Sequence, residues 1–305
     1  MFAVLFPGQG SQKVSMGRAL AQSSAAARTV FERAEASLPG LLETMWQGPE
    51  EALRLTENQQ PALLTVSIAT WEAWREAGGP EPACAAGHSL GEWSAHVAAD
   101  TLDFEDALHL VRLRGRYMQE AVPEGKGAMA AILKLDDDAV RDVVEGIKGV
   151  WIANLNSPGQ VVISGRKEAV DAAVALLKEK RGRVVPLKVS APFHSQLMNP
   201  ARESLARDLK QVELRTPHFP VFSNVTAQPE QDPARIRALL LEQITSPVRW
   251  VEIIQNMHSR GVNYFVELGS GSVLTGLVRR ILPAARASNV EDPDGLALAL
   301  KEVIM

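Results

Sequence analysis

The sequence predicts an α/β core split by a small ferredoxin-like insert. Three observations point there. Short apolar runs alternate with stretches of helical periodicity at both ends of the chain. Between residues 126 and 189 the rhythm changes to a complete β-α-β-β-α-β order. A Gly-x-Ser-x-Gly turn, "GHSLG" at 87–91, stands between a strand-like and a helix-like segment.

The elements follow in order. "FAVLF" (2–6), stopped by Pro7-Gly8, is a short buried strand running into a Gly-rich turn. Helical periodicity covers 16–37 and returns at 61–77, where Pro61 suits a first turn and Gly78-Gly79 ends it. "ACAAG" (83–87) is a strand and 90–99 a helix; a second helix covers 103–121 with Asp103 as its cap. Strands at 126–135, 150–155, 160–165 and 183–189 and helices at 136–147 and 167–180 make up the insert. Helices near 195–210, 232–244, 248–260 and 272–282 then alternate with strands at 220–224 and 264–268. The expected domains are a core from 1–124 and 190–305 and an inserted subdomain at 125–189.

Composition excludes several function classes. The 305 residues are 46% hydrophobic and 22% charged with net charge -4, which gives nucleic acid or an anionic membrane no basic surface to recognise. Cys84 is the single cysteine and the six histidines are scattered, so neither a disulfide nor a metal site is expected. "MFAVLFPGQG" has no basic run, and its apolar stretch is too short for a signal peptide or membrane span. A soluble cytoplasmic protein is expected.

In an elbow of this kind glycines at 87 and 91 permit a tight turn, and the helix N-terminus offers N–H groups to a developing oxyanion. Ser89 is then a nucleophile, the alternative being a helix cap in a Gly-rich turn. A nucleophilic serine needs a base. His194, in the irregular "SAPFHSQL" where the insert returns to the core, is the best placed. His88 is expected on the far side of the turn, His96 and His109 lie in helices, and His218 and His258 sit among polar residues. No Asp or Glu between Ser89 and His194 stands in a distinctive loop, so a backbone or amide oxygen is the expected orienter of the imidazole.

In "DFEDALHLVRLRGRYMQEAV" the residues Phe104, Ala107, Leu108, Val111 and Met118 form one apolar stripe. Arg112 and Arg116 lie off it, but Arg114 points with it. A buried guanidinium needs an anion, either a protein carboxylate or the carboxylate of an acyl substrate such as malonyl.

The chain resembles the malonyl-CoA:acyl-carrier-protein transacylases of fatty acid synthesis and the acyltransferase domains of polyketide synthases. The resemblance rests on "FPGQGSQ" (6–12), "GHSLGEWSA" (87–95), "RLRGRYMQEAVPEGKGAMAAIL" (112–133), "NLNSPGQVVISG" (154–165), "APFHS" (191–195) and "ITSPVRW" (244–250). It implies a hydrolase-like α/β core with a mostly parallel sheet, interrupted by a small ferredoxin-like α+β subdomain. By residue it implies Ser89 as nucleophile, His194 as general base and Arg114 as the malonyl carboxylate site. It further implies backbone N–H groups of Gln9 and Leu90 as the oxyanion hole and the carbonyl of Gln243 as the orienter of His194. Met118 would line the acyl pocket and Asn156 would lie near the substrate. The implied partners are malonyl-CoA and acyl carrier protein; no cofactor is expected, and since nothing in the sequence demands an oligomer, a monomer is expected. Trp93 stands where the family usually has tyrosine, and Phe193 matches the malonyl-type pattern and should crowd a 2-methyl branch. The alternatives are a discrete acyltransferase of a polyketide synthase or malonate decarboxylase system, and a serine esterase.

Overall fold

The computed structural model describes residues 1–189 and 191–304. β1 (Phe2–Phe6) is followed by α1 (Arg18–Ser23), α2 (Ala25–Ser37), α3 (Leu41–Gln47), α4 (Glu50–Arg54) and α5 (Thr56–Glu76). β2 (Cys84–Gly87) leads into α6 (Leu90–Ala98) and α7 (Phe104–Glu120). Next come β3 (Gly127–Leu133), α8 (Asp137–Glu145), β4 (Val150–Ser157), β5 (Gln160–Arg166), α9 (Lys167–Glu179) and β6 (Arg183–Pro186). The chain continues through α10 (Asn199–Leu209), β7 (Val221–Phe222), β8 (Pro229–Glu230), α11 (Pro233–Glu242) and α12 (Trp250–Ser259). It ends in β9 (Tyr264–Leu268), α13 (Val273–Ile281), β10 (Arg286–Val290) and α14 (Pro293–Ile304).

The larger sheet has the order β10-β9-β1-β2-β7-β8, parallel throughout except for the β7–β8 pair. Its central strands β1 and β2 read as unbroken apolar runs because both faces are covered. In β1, Phe2, Val4 and Phe6 pack on one side with α2, α5 and α7, while Ala3 and Leu5 pack on the other with α12 and α13. The smaller sheet, β4-β5-β3-β6, is antiparallel, and Val140, Val144, Val170 and Leu177 of α8 and α9 cover one of its faces. β4 of the smaller sheet is tied to the loop before α12, where the Leu155 N–H donates to the carbonyl of Val248 and the Val248 N–H to that of Ala153. The mixed α/β class is therefore as the sequence predicts. No helix among the described residues is long and apolar enough to cross a membrane.

Several element boundaries differ from expectation. The stretch 16–37 is two helices, because the Ser24 hydroxyl accepts from the Ala27 N–H at 2.9 Å and starts a new one. α5 begins at Thr56, so Pro61 is its sixth residue and lies past the first turn, where it was expected. Asp103 precedes α7 but its carboxylate pairs with Arg215 at 2.7 Å and does not cap. β6 stops at Pro186, and β8, β10 and α14 were not expected from the sequence. β10 is an edge strand, "RASNV", with too few apolar residues to announce itself. The expected boundary after residue 189 falls at Ser190, outside the described residues.

Candidate active site

β1 and β2 are adjacent and parallel, so their carboxyl ends open side by side, the usual place for a site on such a sheet. The turn after β2 is an elbow. Ser89 holds φ 52° and ψ −105° between the strand and α6, a conformation that non-glycine residues rarely adopt. It persists because its flanks are over-determined. A Cβ on Gly87 would lie 1.8 Å from the carbonyl carbon of Gly91, and one on Gly91 would lie 2.0 Å from the oxygen of Phe6. Asn224, in the loop after β7, closes the turn: its Oδ1 accepts from the Ser89 N–H and its Nδ2 donates to the Gly87 carbonyl, both at 2.7 Å.

His194 also has positive φ, 54°, and its Nε2 lies 2.8 Å from Ser89 Oγ. Its Nδ1 faces the carbonyls of Gln243 and Ser246 at 3.0 and 3.1 Å, so Nδ1 carries the proton and Nε2 is free to accept. Among the described residues, no carboxylate orients the ring. Burial, reinforced by the positive charge of Arg114, pushes the imidazole down to about 3, so it is neutral and ready to take the serine proton.

Arg114 is fully buried, yet no carboxylate pairs with it among the described residues. Nη1 donates to Gln60 Oε1 at 2.6 Å; Nη2 donates to Gln243 Oε1 at 2.9 Å and to Ser89 Oγ at 3.2 Å. Neutral amides hold it where the sequence led us to expect an ion. Burial lowers it to about 10, opposed by the field of Glu92, so it remains a cation at neutral pH. Glu92 itself is buried under the elbow, with Oε2 accepting from Gln243 Nε2 at 2.6 Å and from the Asn224 N–H at 3.1 Å. Desolvation raises its carboxyl to about 7 against those two hydrogen bonds.

A cleft of about 610 Å³ opens above Ser89 and His194. Gln9, Gly10 and Gln12 from the turn after β1 form one wall, and Arg54, Leu55 and Gln59 around the start of α5 another. Met129 and Asn154 from the smaller sheet, with Leu187, Lys188, Val189 and Phe193, complete it. Gln9 Nε2 donates to Gln59 Oε1 at 2.5 Å. Leu90 is the first residue of α6, a position whose N–H has no partner inside the helix.

Ser89, His194, Arg114 and Gln243 thus come together, with Gln9 and Leu90 beside them. Met118 is fully buried behind Gln60, whose Nε2 lies 4.0 Å from its Sδ, and is not among the cleft-lining residues. Asn156 reaches the site through His88, accepting at Oδ1 2.8 Å from its Nε2. His88 lines the cleft, contrary to expectation, with its ring 5.4 Å from that of Trp250. His96 is buried in α6, and His218 is exposed and paired with Asp100. Trp93 is fully buried.

Sequence reasoning missed Gln60, Glu92 and Asn224. Each had a signal: a glutamine pair inside the apolar "ENQQPALLTVSIA", a lone acid in the apolar "LGEWSAHVA", and an asparagine just after a strand in "VFSNVT".

The chain matches a family model described as the acyl transferase domain over residues 3–293. It is 46% identical to the malonyl CoA-acyl carrier protein transacylase of Bacillus subtilis, over 98% of this chain and 96% of that protein. Among solved structures it is similar to an acyl carrier protein S-malonyltransferase from Vibrio cholerae, with TM-score 0.94, 45% identity, and 98% and 99% of the two chains covered. It is equally similar, at TM-score 0.94 and 46% identity over 99% of both chains, to a malonyl-transacylase in complex with its type II PKS acyl-carrier protein.

Proposed function

The chain belongs to the acyl transferase domain family, and we propose from that premise how its residues divide the work. The activity is transfer of a malonyl group from malonyl-CoA to acyl carrier protein, supplying fatty acid synthesis. In our reading the reaction is ping-pong. Ser89 Oγ attacks the thioester carbonyl while His194 Nε2 takes its proton. The developing oxyanion sits on the N–H groups of Leu90 and Gln9, each such donor being worth roughly 10²–10³ in rate. Collapse expels the CoA thiolate, His194 returns the proton to it, and a malonyl-serine ester remains. The phosphopantetheine thiol of the carrier protein then repeats the sequence in reverse.

One observation supports a carboxylated acyl group above others: a fully buried arginine, 3.2 Å from the serine oxygen, that has no ion-pair partner among the described residues. A guanidinium in that setting costs several kcal/mol unless an anion arrives, and a malonyl carboxylate held by it keeps the ester oriented toward the incoming thiol. Phe193 in the cleft wall supports malonyl over a 2-methyl branched group. We read the enzyme as a cytoplasmic monomer, with residues 125–189 as an inserted subdomain that walls one side of the cleft.

The decisive experiment is intact-mass measurement after incubation with malonyl-CoA. A malonyl adduct should form, be absent in Ser89→Ala, and disappear on addition of holo acyl carrier protein as the carrier gains it. Absence of the adduct, or release of free malonate with the carrier present, would sink the reading.

A further inference from the structure

We propose that Glu92 is a positioning residue that makes the site selective for carboxylated acyl groups: through Gln243 it holds Arg114 in place without occupying the face the substrate must take. The inference rests on the reading of Arg114 given above.

The side-chain amide of Gln243 is fully committed. Its Nε2 donates to the Ser89 carbonyl at 3.0 Å and to Glu92 Oε2 at 2.6 Å, and its Oε1 accepts from Arg114 Nη2 at 2.9 Å. Turning the amide over would set Nε2 against the guanidinium, donor to donor, and Oε1 against two acceptors, Glu92 and the Ser89 carbonyl. The shorter contact, to a carboxylate, is the one that forbids the turn. Glu92 is held in its own place by the Asn224 N–H at 3.1 Å, and Asn224 also clamps the elbow.

The layout answers a conflict. A buried guanidinium needs a compensating negative charge. A carboxylate bonded directly to Arg114 would supply it but would have to be displaced each time a substrate carboxylate bound. Placing the carboxyl group one amide further away leaves only neutral oxygens on the Nη atoms of the arginine, and its charge, when it is ionised, still acts on the arginine from a distance. Such a neutral partner yields to a substrate carboxylate far more readily than an ion pair does. The backbone carbonyl of Gln243 orients His194 whatever the side chain does, so the effect should fall on acyl selectivity and not on the serine–histidine pair.

The test compares kcat/KM for malonyl-CoA and acetyl-CoA, with holo acyl carrier protein as acceptor, in four variants. Glu92→Met removes the acceptor and should lower the malonyl-to-acetyl ratio by roughly 10- to 100-fold, the worth of a lost charge-assisted hydrogen bond. Glu92→Gln keeps an acceptor for Gln243 and should retain most of the ratio. The exchange Glu92→Gln with Gln243→Glu puts a carboxylate directly on Arg114 and should collapse the ratio while the protein stays folded. An equal loss for both substrates in Glu92→Met, or a malonyl preference that survives the exchange, would overturn the proposal. Should Glu92→Met not fold, the exchange variant decides by the same ratio. Arg114→Ala is the control: if it leaves the ratio intact, the reading of Arg114 fails; if it collapses the ratio and the Glu92 variants do not, only the role of Glu92 fails.

Discussion

Arg114 Nη2 and Ser89 Oγ lie 3.2 Å apart, and the same serine oxygen lies 2.8 Å from His194 Nε2. The hydroxyl thus stands between a cation and a base. The cation favours a serine oxygen that is giving up its proton, while burial, reinforced by that cation, keeps the imidazole neutral.

Arg114→Ala should reduce malonyl transfer much more than acetyl transfer, shifting the ratio of their kcat/KM values by at least about 100-fold if two charge-assisted hydrogen bonds to the substrate are lost. Steady-state kinetics on both thioesters checks this. Equal loss on both would make the arginine a purely structural element.

Asn224→Ala should both destabilise the fold and impair the elbow. It strands the buried Ser89 N–H and Gly87 carbonyl, each now bonded at 2.7 Å, at about 1–3 kcal/mol apiece. Urea unfolding should show a loss of roughly 2–6 kcal/mol, and adduct formation should slow even where the protein remains folded.

The acid limb of adduct formation should lie far below the ordinary histidine range. His194 is pushed down to about 3, so its neutral form persists through pH 5. Rapid-quench mass measurements on the free enzyme should find little loss of rate between pH 7 and 5.5. A midpoint near 6.5 would show that the imidazole titrates as a solvated one.

Two buried histidines and two buried glutamates should nearly offset one another in stability from about pH 6.5 to 4.5, with the buried His88, also lowered by burial, tilting the balance toward loss on acidification. His96 and His194, both lowered to about 3 by burial, stay neutral folded but protonate unfolded below 6.5, so each removes roughly 1.4 kcal/mol per pH unit on acidification. Glu92 and Glu267, both raised to about 7 by burial, hold protons in the folded state that the unfolded chain releases above about 4.5. Their stabilisation is fully present below 4.5 and is lost as pH rises toward 7. The two pairs oppose each other between 4.5 and 6.5; below 4.5 the histidines act alone and stability falls. Denaturant titrations across this range in wild type and His96→Asn check it, the variant being expected to lose less stability on acidification below 4.5.

Much of the site could be seen in the one-dimensional pattern because its residues obey local rules. Ser89 is flagged by glycines two positions away on either side, and those glycines are needed for contacts with the neighbouring turn and with β1. Arg114 is flagged by breaking a helical stripe, and a helix's period is a local property. The helix around Pro61 and the capping role of Asp103 were misplaced for the opposite reason: the tertiary partners, such as Arg215 for Asp103, lie far along the chain.

The sequence alone thus determined the alternation of strands and helices and the glycine pattern of the elbow, and it pointed to an arginine on an apolar stripe and to a non-carboxylate orienter for the histidine. Tertiary structure alone decided what surrounds them. Gln60, Glu92, Asn224 and Gln243 come from four separate elements or loops and act through side-chain geometry, with hydrogen bonds spanning 54 to 154 residues of chain. No periodicity or spacing carries that information. It exists only once β1 and β2 lie side by side and the loops at their carboxyl ends are brought together, where most buried polar groups find partners far along the chain.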